Sequence, residues 1–244
     1  MNAMSPQSIK NIDAIDKDGR SLYRAGGVSA LALALGYLVI IALYIPIGAP
    51  PSGAEPRLAS MAGHTTAWWA ILGLSVLTDF LFVPVALSLY LALKGLNRNV
   101  MLMATACVAL FVFLDLAITW TNYAALIALS GNYAAAANPV QRATVITAAT
   151  YPSAVLESRL LFVYNTFTLS LGILMTGVVM LKGVFNKGTA YLGIATGILG
   201  VVAVFGPLLV SALSATIVAA SILTTIWLIF AGYRLCILGW NSLQ

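Results

Sequence analysis

The stretch Ala67–Asn122, AWWAILGLSVLTDFLFVPVALSLYLALKGLNRNVMLMATACVALFVFLDLAITWTN, decides the fold. Two long apolar runs flank the short basic turn Lys94-Gly95-Leu96-Asn97-Arg98-Asn99, the pattern of an antiparallel helical hairpin crossing a bilayer. Each arm carries a single acid, Asp79 in the first and Asp115 in the second. Asp79 stands 15 residues before Lys94, and Asp115 stands 17 after Arg98. At a helical rise of about 1.5 Å per residue, both carboxyls lie roughly 22–25 Å above one membrane face. That height is just past the middle of a hydrocarbon core about 30 Å thick.

Composition widens this reading to the whole chain. Of 244 residues, 61% are hydrophobic and 8% charged, against about 25% charged in a soluble domain. The fold class is therefore all-α and polytopic. The net charge of +5 sits at chain ends and short turns rather than in a stripe, which speaks against nucleic acid. Cys107 and Cys236 lie inside apolar runs and predict no disulfide framework. His64 is the single histidine, so bis-histidine haem and histidine-rich metal centres are excluded.

Six spans are expected, at about 26–47, 67–93, 100–122, 158–181, 190–213 and 216–238, forming one transmembrane domain over 25–240. A polar tail, 1–24, precedes them. Residues 58–66 read as an interfacial extension of the second span, and a loop of about 30 residues follows the third. Within that loop Asn138-Pro139 is a cap followed by a first-turn proline, predicting a short amphipathic helix near 139–150 on the outer side. Only Ser214-Ala215 separates spans five and six. Nine cations (Lys10, Lys17, Arg20, Arg24, Lys94, Arg98, Lys182, Lys187, Arg234) fall on the side of the termini and three (Arg57, Arg142, Arg159) on the other. Positive charge accumulates inside, so both termini are expected in the cytoplasm and the protein in the plasma membrane.

Measured from the turn at Lys182, Asn165 and Tyr164 of span four share the level of the two acids. Ser221 and Thr225 lie slightly lower, Tyr37 and Tyr44 bracket it, and Arg159 stands roughly 9–10 Å above Asn165. Asp79, Asp115, Asn165, Tyr164 and Arg159 thus form a candidate polar site within the membrane. An ionised aspartate at mid-membrane costs about 2.5–3.5 kcal/mol, so such groups turn inward and find partners. With Arg159 the only cation in range, at least one acid is expected to carry a proton. Two readings stand side by side, a hydrogen-bonded structural pair supported by Thr119 and a proton or cation site. Pro84 and Pro207 break helical hydrogen bonds beside this level, as in transporters. Gly193, Gly197 and Gly200 form a small-residue face, for packing within the chain or for a homodimer seam.

The sequence resembles the family of prokaryotic six-span membrane proteins catalogued as domain of unknown function 4386. The likeness rests on Leu77-Thr78-Asp79-Phe80, Leu89-Tyr90-Leu91-Ala92-Leu93-Lys94, the acid-bearing third span, Lys187-Gly188-Thr189-Ala190-Tyr191-Leu192-Gly193-Ile194 and Gly232-Tyr233-Arg234-Leu235. It covers roughly residues 25–240 and implies a compact six-helix membrane domain without assigned catalytic residues.

Intramembrane aspartyl proteolysis lacks its Gly-x-Gly-Asp motif, serine hydrolysis its Gly-x-Ser-x-Gly, and phosphate loops are missing. No cofactor or metal is expected, and the constant partner is the lipid bilayer. Three functional classes remain. The first binds or transports a small molecule, proton or other ion through the polar layer. The second is an accessory or sensory protein whose outer loops meet another membrane protein or a lipid. The third, least supported, is a lipid-modifying enzyme.

Overall fold

A computed structural model describes residues 19–48 and 50–240. Among them the secondary structure is helical throughout, with no strand. Eight helices follow one another: α1 Arg20–Ile47, α2 Ala54–Ala62, α3 Thr65–Leu93, α4 Arg98–Ala135, α5 Pro139–Glu157, α6 Arg159–Met180, α7 Lys187–Leu208 and α8 Ser211–Trp240. All except α2 and α5 are long and apolar enough to cross a membrane, which makes this a multi-pass membrane protein. The polar tail lies outside the described residues as far as residue 18, and Arg20–Arg24 already belong to α1.

Polar side chains cap four of the helix starts. Asn97 Oδ1 accepts from Val100 N at 3.1 Å, Ser158 Oγ from Leu160 N at 3.2 Å and Asn186 Oδ1 from Gly188 N at 3.0 Å. Asn138 caps α5 as expected: its Oδ1 accepts from Gln141 N while Gln141 Oε1 accepts from Ala137 N, both at 2.9 Å. This reciprocal pair satisfies two orphan donors at once.

Several sequence boundaries are corrected. Residues 58–66 do not extend the second span. Gly53, at φ 89°, opens the separate helix α2, which ends at Gly63. The third span does not stop at 122, because α4 runs on through Gly131-Asn132 to Ala135. One glycine costs a helix only about 1 kcal/mol, less than burying Leu126 and Ile127 returns. The 38 residues of α4 reach roughly 57 Å, about twice a hydrocarbon core. The expected loop therefore shrinks to Ala136–Asn138, and α5 extends past 150 to Glu157, carrying Pro152 inside it. Gly206-Pro207 tighten α7, which closes at Leu208 rather than 213.

The described residues fall into two compact units. One comprises Leu35–Asp79 and Phe113–Asn165. Its core is Leu58 and Met61 of α2, Trp68 and Ile71 of α3, Leu126 and Ile127 of α4 and Ala149 of α5. The other takes residues up to Ala34, Phe80–Val112 and those from Thr166 onward. There Gly193, Gly197 and Gly200 of α7 lie against Gly177, Leu174 and Ser170 of α6, with Trp227 of α8 beside Gly193. That is close packing within the chain, built on residues without Cβ atoms.

Candidate functional site

Asp79 and Asp115 both belong to the first of these units and are buried, at 2% and 6% exposure. Their carboxyls lie close enough to act on each other. The Trp120 indole N–H donates to Asp79 Oδ2 at 2.7 Å. The Asn165 amide donates to Asp115 Oδ1 at 3.3 Å. Three helices thus meet at one polar level.

Helix geometry changes at this level in two places. From Asp115 to Trp120, α4 widens into a π turn, and α6 does the same from Val163 to Phe167. Local side chains support the first. The hydroxyl of Thr121 donates to Ala117 O and the amide of Asn122 to Ile118 O, both at 2.6 Å, meeting carbonyls within the widened turn. Asn165 occupies the centre of the second turn, with half-buried Tyr164 just before it. Such single π turns gather at functional sites.

Around the acids stand further polar and aromatic groups. Half-buried Tyr37 of α1 is near enough to feel both carboxyls. The Thr119 hydroxyl, one turn beyond Asp115, is buried close to that carboxyl and acts on it. An aromatic run leads away: Trp120 to Tyr123 at 5.6 Å between ring centroids, Tyr123 stacked on Trp68 at 5.9 Å, and Trp68 edge-on to Tyr44 at 5.6 Å. The Tyr44 and Tyr123 hydroxyls are within hydrogen-bond reach of each other.

The buried cation of this unit differs from the one expected. Arg159 is exposed at the start of α6 and, among the described residues, forms no ion pair with either acid. Arg57 is instead buried, and its charge reaches Tyr123 of the aromatic run. Its guanidinium donates to Pro51 O, Ser153 O and Glu157 Oε1 at 3.3, 3.3 and 3.1 Å. Nothing local in the sequence reveals that α2 and α5 will close over it.

Of the sequence candidates, Asp79, Asp115 and Asn165 meet directly, with Tyr164 adjacent in the chain. Ser221 and Thr225 of α8 belong to the other unit and donate to Ile217 O and Ser221 O of their own helix. Trp120 is not among the sequence candidates, yet it holds Asp79. Its indole N–H, which seeks a partner when buried, was the available signal. Among the described residues no three histidine, cysteine or acidic side chains gather to hold a metal ion. The chain matches no family model, and no curated protein or solved structure is significantly similar to it.

Proposed function

We propose that the protein binds and moves a small cation or a proton-coupled small molecule through the Asp79–Asp115–Asn165 layer. In this reading the chain lies in the plasma membrane with both termini cytoplasmic, the acid layer sits in the outer half, and the chain joins the six-span family its motifs resemble. The supporting observation is the carboxyl pair itself, buried without an ion-paired cation among the described residues while one of its helices widens at Asp115 and a third, α6, widens at Asn165. A structural pair has no need of two π turns, whereas a site that must release its occupant gains from carboxyls held without a fixed counter-charge.

The test compares the parent with Asp79→Asn and Asp115→Asn in thermal unfolding between pH 5 and pH 9. Variants as stable as the parent or more so are expected, because functional polar groups are held at a cost. Proteoliposomes loaded with a pH dye should then show proton movement in the parent alone. A loss of several degrees in either variant at every pH identifies packing groups and removes the proposal.

A second reading, an accessory protein meeting lipid or another membrane protein through α5, draws on Val140 and Tyr151, which are 76% and 74% exposed. Spin labels at 140 and 151 separate a lipid-covered face from a watered one.

A further inference from the structure

We infer that the Asp79–Asp115 pair takes a small monovalent cation of the sodium class in exchange for a proton, with the Thr119 hydroxyl as a third oxygen ligand. This rests on the cation-handling reading above and names its ion.

Charge comes first. Two carboxyls sharing one proton carry a residual charge of −1 in surroundings that penalise it. One further positive charge neutralises the layer, supplied either by a second proton or by one monovalent ion. The ion enters as that second proton leaves, so charge balances at each step. A divalent ion requires both acids ionised and about six or more oxygens, more than this layer gathers.

Thr119 supplies the independent sign. Threonines inside helices ordinarily donate to the carbonyl four residues back, as Thr105, Thr176, Thr196 and Thr224 do here at 2.7–2.9 Å. For Thr119 that carbonyl belongs to Asp115, where the π turn begins. Its hydroxyl makes no such backbone bond and is buried beside the Asp115 carboxyl, in a residue 6% exposed. A cation bound between the carboxyls meets that oxygen. Carboxyl and hydroxyl oxygens are hard donors and select alkali ions over soft metals. Trp120 and Asn165 each hold one carboxyl oxygen in place, Asp79 Oδ2 and Asp115 Oδ1.

The titratable groups that act with the pair are Tyr37 on α1 and Tyr123 on α4, and Tyr164 precedes Asn165 on α6. Arg57 on α2 acts through Tyr123 and is itself bound by Glu157 on α5.

The experiment measures thermal unfolding of the full chain in detergent against NaCl, with KCl and choline chloride at equal ionic strength. Sodium is expected to raise the unfolding temperature of the parent beyond the other salts. The sodium midpoint should rise about tenfold for each pH unit lowered while the pair is doubly protonated. Thr119→Val keeps the shape without the oxygen and should weaken that midpoint at least tenfold, while Thr119→Ser preserves it. Sodium-23 line broadening on the parent, reversed by acid, reads the same site without any variant. Equal shifts from all three salts, or a full sodium response in Thr119→Val, overturn the inference. Stabilisation at low pH that disappears in the aspartate variants, with no effect of sodium, also overturns it, and leaves the pair as a proton site.

Discussion

The contact between Arg57 and Glu157 gives the sharpest energetic prediction outside the membrane-spanning helices. The Arg57 side chain is 7% exposed and that of Glu157 38%. Glu157 Oε1 also accepts from Gly53 N at 2.7 Å, so one carboxyl oxygen anchors both the start of α2 and the guanidinium. Truncating one member of a fully buried pair costs about 3–5 kcal/mol, but Glu157 is partly watered and the figure must be discounted. Arg57→Met removes three hydrogen bonds and should cost about 2–3 kcal/mol, equivalent to roughly 5–10 °C in a chain of this size. Glu157→Leu strands a buried guanidinium that keeps its two backbone acceptors, and should cost about 1–2 kcal/mol. The double variant Arg57→Met/Glu157→Leu should recover at least about 1 kcal/mol of the summed losses, since no charge remains unmatched. Thermal unfolding followed by tryptophan fluorescence is a suitable assay, because Trp68 lies in the core of the same unit. Additive losses, with a coupling below about 0.5 kcal/mol, would refute the idea that this pair clamps α2 to α5.

Trp120→Phe keeps a ring against Tyr123 but removes the donor to Asp79; a loss of about 1–2 kcal/mol in unfolding is expected, and an unchanged transition contradicts that bond. Carboxyl infrared absorption at pH 7 should contain a protonated band that vanishes in Asp79→Asn or Asp115→Asn, whereas two ionised bands alone rule out the shared proton. Gly200→Ala places a methyl against the Ser170 hydroxyl. It should destabilise by about 1–3 kcal/mol and be largely rescued by Ser170→Ala, and failure of that rescue would dismiss the glycine seam as the cause.

What the sequence disclosed depended on the range of the signal. Helix length and the height of a residue above a turn are local arithmetic, so the common level of Asp79, Asp115 and Asn165 could be read from the chain. The cap at Asn138 was legible for the same reason, since donor and acceptor lie three residues apart. Arg57 was not legible. Its burial follows from α5 folding back a hundred residues later, and an arginine beside four prolines looks like any solvated loop. The persistence of α4 through Gly131 was hidden for a related reason: local propensity argued for a stop, and tertiary packing on Leu126 and Ile127 outweighed it.

The two π turns were the part that no periodicity could give, and they bear most on function. A π turn inserts one residue and swings everything beyond it by about 100°, so a helical wheel drawn through Asp115 misplaces the residues on one side of it. An apolar bundle gains nothing from such a change, because a continuous α-helix packs as well and keeps every backbone bond. In this chain the widening occurs at the acid of α4 and at the amide of α6 that donates to it, and only there among the described residues. In α4 the turn also strips Thr119 of the acceptor that other threonines of the chain use. Two widened turns converging on one carboxyl pair are hard to derive from packing and follow directly if the level must hold, and let go of, a charge.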